Sequence, residues 1–310
     1  MKEEILFSLS SPYRQTMKVK GWYFGNRDKK TVAIMGALRG NEIQQMYICS
    51  LLIQTLKELE EKGQLSKDCG ILVVPCANQL SMNVGKRFFA SDNTDINRMF
   101  PGYELGETTQ RIAGRLFKVL SGYELGVHLV SLYLPGDIIP HVRIMKSGYE
   151  QPEEAKAFGL PYVILRDPAP FDTTTLNYNW QVWETRAYSV YARETDQIDV
   201  LAANQCLDAI LRFLYFKGIS TERGIPQEGA STIFPEEQMD RVLSTAGGLL
   251  IREVAAGDQV KAGDLLGRIC NPCDGTLLQT MTAPRDGCVF FTHHPNLING
   301  HEVAYMIVPD

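Results

Sequence analysis

The chain of 310 residues is predicted to form an α/β fold with a mixed sheet, followed by a small all-β region. Residues 1–222 alternate strand-like apolar runs with helical patterns, which is typical of layered α/β structures. Residues 219–232 are polar and carry several Gly and Pro residues, so they indicate a linker. From Gly247 onward, short apolar pairs are separated by Gly-Asp and Asp-Gly turns, which indicates strands without helices. We therefore predict two domains, residues 1–222 and a linker with a β-rich domain at 223–310.

The predicted elements follow from apolar runs and helical spacing along the chain. Strand candidates lie near residues 4–8, 16–24, 31–36, 70–76, 123–130, 141–145, 162–166 and 187–192, and helix candidates near 42–61, 107–120, 151–157 and 197–216. The run Thr31–Gly36 is followed by a turn and then by apolar residues at helical spacing, so Glu42 is predicted to start a helix. Such a strand, turn and helix place polar residues at the carboxyl edge of a sheet, where ligands bind in α/β folds.

Composition limits the classes of partner. The formal net charge is -5, and no basic run interleaved with aromatic residues predicts nucleic-acid binding. No apolar stretch is long enough to span a bilayer, and the first residues lack the apolar core of a signal peptide, so we expect a cytoplasmic protein without a membrane partner. The seven cysteines are odd in number and scattered, which predicts reduced thiols, and the single C-x-x-C at Cys270 and Cys273 is interpreted as two thiols flanking a turn.

The segment from Asp95 to Gly102 is the most informative of the chain and has the pattern D-x-N-R-x-F-P-G. It sets the amide of Asn97 beside the guanidinium of Arg98, next to a Pro-Gly turn. Arginine binds a carboxylate with two parallel hydrogen bonds, so this pair suits recognition of a small carboxylate. The alternative interpretation is a turn with an arginine on a solvated face.

In the order of its motifs the whole chain resembles the succinylglutamate desuccinylase/aspartoacylase family of zinc carboxypeptidase-like hydrolases. Where that family has H-G-x-E after a strand, this chain has Arg39-Gly40-Asn41-Glu42. Asn78, Arg87 and the D-x-N-R-x-F-P-G segment follow in the family's order, and then Gly126-Val127-His128 where the family has D-L-H. The resemblance implies a carboxypeptidase-like mixed sheet with flanking helices and a small all-β C-terminal domain. It also implies substrate binding through Arg87, Asn97 and Arg98.

Three positions of the family's chemistry differ in this chain. The family holds zinc with His, Glu and His; here Glu42 and His128 remain as a remnant metal site, with Arg39 in place of the third ligand. Arginine keeps its proton and offers no lone pair to a metal. Gly126 replaces the family's Asp, and Tyr191 stands at the position of the family's catalytic Glu.

A guanidinium at Arg39 would supply positive charge beside Glu42, much as zinc does in the family. We therefore predict an ion pair between Arg39 and Glu42, against the alternative that Arg39 points to solvent. His128 would then be a neutral core histidine.

Two functions remain open from the sequence. The favoured one is a protein that binds a small carboxylate-bearing molecule and has lost zinc-dependent amide hydrolysis. For this function we expect no cofactor. The other is a zinc-dependent hydrolase of small N-acyl amino acids, with metal-bound water as the nucleophile. In that case the base would have to come from Glu194 or His141, or Tyr191 would have to bind the metal as a phenolate. For the carboxylate pocket itself, the alternative is that Arg87 and Arg98 pair internally with Asp92 or Asp95.

Overall fold

A computed structural model describes residues 1–10, 15–226 and 229–310. Within these residues the strands are β1 (Lys2–Leu9), β2 (Met17–Gly25), β3 (Val32–Ala37), β4 (Gly70–Cys76), β5 (Leu125–Val130), β6 (Gly136–Ile138), β7 (His141–Met145), β8 (Tyr162–Arg166), β9 (Arg186–Tyr191), β10 (Thr232–Pro235), β11 (Asp240–Leu243), β12 (Gly248–Arg252), β13 (Gln259–Val260), β14 (Leu265–Cys270), β15 (Leu277–Thr282), β16 (Gly287–His293), β17 (Leu297–Ile298) and β18 (Val303–Pro309). The α-helices are α1 (Ile43–Glu61), α2 (Gln79–Met82), α3 (Thr108–Leu120), α4 (Pro152–Ala155), α5 (Leu176–Val182) and α6 (Val200–Phe216).

The first compact unit, residues 1–131 and 140–234, is built on a mixed sheet with the strand order β1-β2-β4-β3-β5-β9-β7-β8-β10. Its centre is parallel, since β4, β3, β5 and β9 run in one direction, whereas β7 is antiparallel to β9. The carboxyl ends of the four parallel strands therefore meet at one edge. The predicted start of a helix at Glu42 is confirmed, because Glu42 is the N-cap of α1.

Alternation along the parallel strands directs side chains to two separate cores. Val32 and Ile34 of β3 pack on one face of the sheet with residues of α1 and α6. Ala33 and Met35 pack on the other face with residues of α3 and α5. Helices thus cover both faces of the sheet, as the sequence predicts. Helix α5, which follows no clear apolar pattern in the sequence, was missing from the predicted elements.

The second compact unit comprises residues 132–139 and 235–310, and its described part contains strands, turns and one short 3-10 helix (Glu236–Gln238) but no α-helix. One sheet has the order β11-β18-β16-β13 with β6 paired to β16, and the other has the order β15-β14-β12-β17. This division differs from the predicted boundary at residue 222 for two reasons. Strand β10 joins the sheet of the first unit, and β6 pairs with β16 of the second unit, far away in the sequence. Residues 227–228 of the predicted linker lie outside the described part.

Among the described residues, no helix is long and apolar enough to cross a membrane. Each of the seven cysteines is a free thiol.

Candidate functional site

Polar side chains converge on the carboxyl edge of the parallel strands in the first unit. The turn after β3 carries Arg39 and Glu42, β5 carries His128 and is followed directly by Ser131, and β9 ends at Tyr191. Strand register sets His128 beside Met35 of β3 on one side and Ser189 of β9 on the other. The sheet therefore brings four of the positions that the sequence singled out to one edge, although they are up to 152 residues apart in the chain.

Arg39, Glu42 and Asp95 form a buried ionic cluster, here called the buried triad. The Arg39 side chain is 3% exposed, its Nη1 lies 3.1 Å from Glu42 Oε1, and its Nη2 lies 2.9 Å from Asp95 Oδ2. Arg39 Nε also donates to Asp95 Oδ2 at 3.0 Å. The predicted ion pair between Arg39 and Glu42 is thus confirmed. Asp95 is a second partner that the sequence analysis did not assign to Arg39.

Both oxygens of the Glu42 carboxylate are engaged by the protein itself. Oε2 accepts hydrogen bonds from the backbone N–H groups of Leu38 and Arg39, at 2.8 and 2.9 Å. Oε1 accepts from Ser131 Oγ at 2.6 Å and from Arg39 Nη1 at 3.1 Å. Burial alone would raise the pKa of Glu42, but Arg39 and the Ser131 hydrogen bond outweigh burial and lower it. Burial likewise opposes the charge on Arg39, whose pKa is nonetheless raised by Glu42 and Asp95.

His128 is a buried, neutral histidine with one ring nitrogen unused. Its Nδ1 lies 2.9 Å from Asn177 Oδ1, and the Asn177 amide donates to Ser189 Oγ at 2.6 Å. An amide oxygen only accepts, so Nδ1 carries the proton and Nε2 keeps its lone pair. Burial lowers the pKa of His128 to about 4, against the opposing effect of Glu42. Nε2 has no hydrogen-bond partner within the part of the chain that the structure describes.

Gly126 lies where the resembled family has an aspartate, and the structure leaves no room there for a side chain. A Cβ atom at Gly126 would lie 2.7 Å from the ring of Trp180, which α5 places over the strand. Trp180 is fully buried, and its indole N–H donates to the carbonyl of Leu120 at 3.2 Å. The Trp180 ring therefore occupies the space that a side chain at position 126 would need.

Tyr191 is fully buried at the end of β9. Its ring stacks on His141 with centroids 4.6 Å apart and an interplanar angle of 6°. On the same ring, the guanidinium carbon of Arg143 lies 4.5 Å from the centroid. Tyr191 therefore contributes a packed aromatic surface at this edge of the sheet, with a phenol where the resembled family has a carboxylate.

Arg87 differs from the other arginines of the site. Its carbonyl accepts a hydrogen bond from Gly40 N at 3.2 Å, which fixes the backbone beside the buried triad. Its guanidinium is half-buried and forms no ion pair or hydrogen bond with any residue in 1–10, 15–226 or 229–310. Burial lowers the pKa of Arg87 and the charge of Arg39 lowers it further, while the charges of Asp95 and Glu42 oppose this change. Arg87 is thus a cation at the site without an ion pair or hydrogen bond to the guanidinium from the described chain.

Arg98 is held by the loop before α5. Its Nη1 donates to the carbonyl of Phe171 at 2.7 Å and lies 3.5 Å from Asp172 Oδ1, while the side chain remains 28% exposed. The other oxygen of Asp172 accepts from Arg166 Nε at 2.9 Å. Asp172, which the sequence analysis did not identify, is therefore the internal partner of Arg98, instead of the Asp92 or Asp95 considered there.

Asn97 is buried, and its side-chain oxygen accepts from Leu176 N at 3.1 Å, at the start of α5. Gly102, which closes the same motif, has φ of 91°, and any side chain there would overlap the backbone of Gly114 in α3. The motif therefore ties the loop that carries Asp95 and Arg98 to two helices.

Ser131 and Asn177 are site residues that the sequence analysis missed. Ser131 follows a predicted strand directly, so its place at the carboxyl edge could have been inferred from the sequence. Asn177 lies in the unpredicted helix α5, and no sequence pattern marked it. Within the described residues, no group of three or more His, Cys, Asp or Glu side chains is arranged to hold a metal ion.

Comparisons with known proteins agree with this architecture. Residues 28–179 match the family model described as the succinylglutamate desuccinylase/aspartoacylase catalytic domain. Over 288 residues the chain is 27% identical to the N-alpha-acetyl-L-2,4-diaminobutyric acid deacetylase of Halomonas elongata, an alignment that covers 87% of this chain and 79% of that protein.

Two solved structures illustrate the similarity of fold. The product-bound ectoine utilization protein EutE (DoeB) of Ruegeria pomeroyi has a TM-score of 0.82 at 20% identity, covering 100% of this chain and 95% of that one. A succinylglutamate desuccinylase/aspartoacylase from Rhodobacter sphaeroides has a TM-score of 0.79 at 18% identity, covering 95% of this chain and 90% of that one. The predicted fold class, a carboxypeptidase-like mixed sheet with flanking helices and a β-rich C-terminal part, is confirmed.

Proposed function

Because the chain belongs to the succinylglutamate desuccinylase/aspartoacylase family, we propose that it binds a small monocarboxylate on the family scaffold without zinc-dependent amide hydrolysis. The environment of Arg87 carries this proposal. Arg39 pairs with Glu42 and Asp95, and Arg98 and Arg166 both pair with Asp172. The half-buried guanidinium of Arg87 has no such ion pair among the described residues. A single carboxylate on a ligand would supply it.

The donor chemistry does not fit zinc. Zinc sites use three or four protein ligands. Glu42 already receives four hydrogen bonds from the chain, and the guanidinium of Arg39 lies against it. His128 Nε2 is then the one free metal donor of the remnant set. A metal ion could reach Glu42 and Asp95 only if Arg39 gave up its contacts with them. That would break a buried ion pair, which is costly.

The ligand class follows from Arg87. A guanidinium binds a carboxylate through two parallel N–H donors, and such hydrogen bonds to charged groups contribute roughly 1.5–3 kcal/mol. Since Asp172 already faces Arg98, a second carboxylate on the ligand would meet a cation that is largely compensated. The deacetylase relative is named for an N-acetylated amino acid, a class that fits a site with one open cation. N-acyl amino acids with a single carboxylate are therefore the ligands we propose. For the location we propose the cytoplasm, which the free cysteines support.

Calorimetric titration with N-acetylglycine, N-acetyl-L-2,4-diaminobutyrate and succinate tests the proposal. We expect saturable binding of the two monocarboxylates, weaker binding of succinate, and no release of acetate with or without added zinc. Binding should fall about tenfold or more in Arg87→Gln, as expected for loss of a charged hydrogen bond. Release of acetate that depends on zinc would instead establish the alternative, an active deacylase. Equal binding by native protein and Arg87→Gln would overturn the carboxylate site.

A further inference from the structure

A second pocket in the first unit lies between α1, β2 and α2 and shares no lining residue with the site described above. Its volume is about 310 Å³, and it is lined by Trp22, Met46, Pro75 and Met82 together with Lys20, Cys76, Gln79 and Asn83. Pockets of roughly 300 Å³ and more accommodate small molecules. We propose that this pocket binds a small, neutral, largely apolar molecule and that its occupancy is coupled to Arg87.

The chemistry of the walls selects the ligand class. Methionine side chains adapt their shape and contact aromatic rings favourably, so Met46 and Met82 suit a flat apolar ligand beside Trp22. Lys20 is the one charged residue that lines the pocket, and its ammonium already lies 2.6 Å from Glu3 Oε1. The lining therefore has no unpaired charge that would favour an ionic ligand. Gln79 and Asn83 carry side-chain amides, which can hydrogen-bond one polar group of a ligand, such as a ring N–H or a hydroxyl.

Contacts of α2 connect this pocket to the carboxylate site. Asn78, the N-cap of α2, accepts from Ser81 N and donates to the carbonyl of Leu38, both at 3.3 Å. Leu38 N in turn donates to Glu42. The segment that leaves α2 returns to the same turn, because Gly40 N donates to the carbonyl of Arg87 at 3.2 Å.

The backbone at Gly40 lies close both to α2 and to the residue before Arg87. A Cβ atom at Gly40 would lie 2.3 Å from the carbonyl oxygen of Lys86 and 2.4 Å from the carbonyl carbon of Ser81. Through these contacts a displacement of Met82 would reach Gly40, whose N–H holds the carbonyl of Arg87. A ligand that packs against Met82 holds this segment in place and pre-organises Arg87, so it should strengthen carboxylate binding. By linkage, a carboxylate at Arg87 should strengthen binding in the pocket by the same factor.

Indole is a suitable probe, because it is a flat neutral ring with one N–H donor. The full-length protein is labelled at its methionine methyl groups and its arginine side chains, and indole is titrated by NMR. We expect saturable shifts of the Met46 and Met82 methyl signals, assigned with Met46→Leu and Met82→Leu, together with a shift of the Arg87 Nε signal. At saturating indole, N-acetylglycine should bind about fivefold or more tightly, at the low end of usual coupling factors.

A blocked pocket supplies the control. Asn83 lines the pocket and is exposed, so Asn83→Trp should occupy the pocket and abolish the indole shifts, whereas Leu105→Trp, at a position 84% exposed elsewhere, should leave them intact. Unmoved Met46 and Met82 signals at millimolar indole would overturn the binding site. Shifts of both methionines with an unmoved Arg87 signal would overturn the coupling. The shift of the Arg87 signal is measured in the absence of any carboxylate. The test of coupling therefore remains valid even if N-acetylglycine does not bind and the proposed function is wrong.

Discussion

The buried triad and the pair Arg87 and Arg98, here called the arginine face, compensate their charges in different ways. In the triad, Arg39 is 3% exposed and lies between two carboxylates, so the protein itself supplies every partner. In the arginine face, Arg98 reaches Asp172 only at 3.5 Å, and Arg87 has no partner from the described residues. A region whose charges are internally paired contributes to the fold, whereas a region with a cation left open is organised for a ligand.

The largest expected effect concerns the triad. Arg39→Met leaves Glu42 buried without its cation, and breaking a buried ion pair in this way costs about 3–5 kcal/mol. Urea unfolding should show this loss, and Arg39→Met/Glu42→Gln should recover part of it because the charge of Glu42 is removed, although Asp95 still lacks its cation. The matched control is Arg268→Met in the second unit, whose guanidinium pairs with Glu253 at 2.7 Å while 44% exposed. Exposed pairs contribute up to about 1 kcal/mol. Equal losses in Arg39→Met and the control would remove the distinction between the two regions.

The pH dependence of stability should report the burial of His128. Its pKa is lowered from 6.5 to about 4 by burial, so between these values the unfolded chain binds a proton that the folded chain does not. The stabilising effect is complete above pH 6.5 and is lost as the pH falls toward 4. The slope is at most about 1.4 kcal/mol per pH unit.

Variants at two histidines separate this effect from general acid sensitivity. His128→Asn keeps a donor for Asn177 and should flatten the free energy of unfolding between pH 6.5 and 4. His294→Asn, at an exposed position, should leave the native profile unchanged. A native slope that persists in His128→Asn would show that other groups cause it. Glu42, whose pKa is lowered from 4.5, adds a further loss only at lower pH.

Gly126→Ala tests how closely the buried side of the site is packed. The new Cβ atom would lie 2.7 Å from the Trp180 ring, so the helix that carries Trp180 must shift. Overpacking of this kind typically costs about 1–3 kcal/mol. Thermal or urea unfolding measures the loss. In a protein that carries Trp180→Leu, adding Gly126→Ala should lower the free energy of unfolding less than it does in the native protein. Full native stability of Gly126→Ala would mean that Trp180 does not exclude a side chain here.

The smallest effect sharpens the contrast within the arginine face. Arg87→Gln should weaken the binding of N-acetylglycine by about tenfold or more, as expected for one charged hydrogen-bonded contact. Arg98→Ala should weaken it less than Arg87→Gln does, since Arg98 is already engaged by Phe171 and Asp172. Calorimetry on both variants gives the ratio directly. A greater loss in Arg98→Ala would reverse the assignment of the open cation.

Much of the fold could be predicted because its signals are local. The apolar run of β3 and the helical spacing after Glu42 define a strand, turn and helix without reference to the rest of the chain. The pair of Arg39 and Glu42 was likewise predictable, since the two residues are three positions apart. Partners distant in sequence were not. Asp172 lies 74 residues from Arg98, and Asn177 lies 49 residues from His128. Asp172 precedes α5 and Asn177 lies within it. The sequence of this short helix shows no clear period, so only the folded structure reveals these two partners.

The zinc content of the purified protein tests the central claim most directly, namely that the guanidinium of Arg39 has taken the place of a metal ion. The native protein is dialysed against a mild chelator, and zinc per chain is measured by mass spectrometry beside the release of acetate from N-acetyl-L-2,4-diaminobutyrate. We predict much less than one zinc per chain and no release of acetate that depends on zinc. Stoichiometric zinc retained through dialysis, with turnover that disappears when the metal is stripped, would contradict the claim and establish a metal-dependent deacylase.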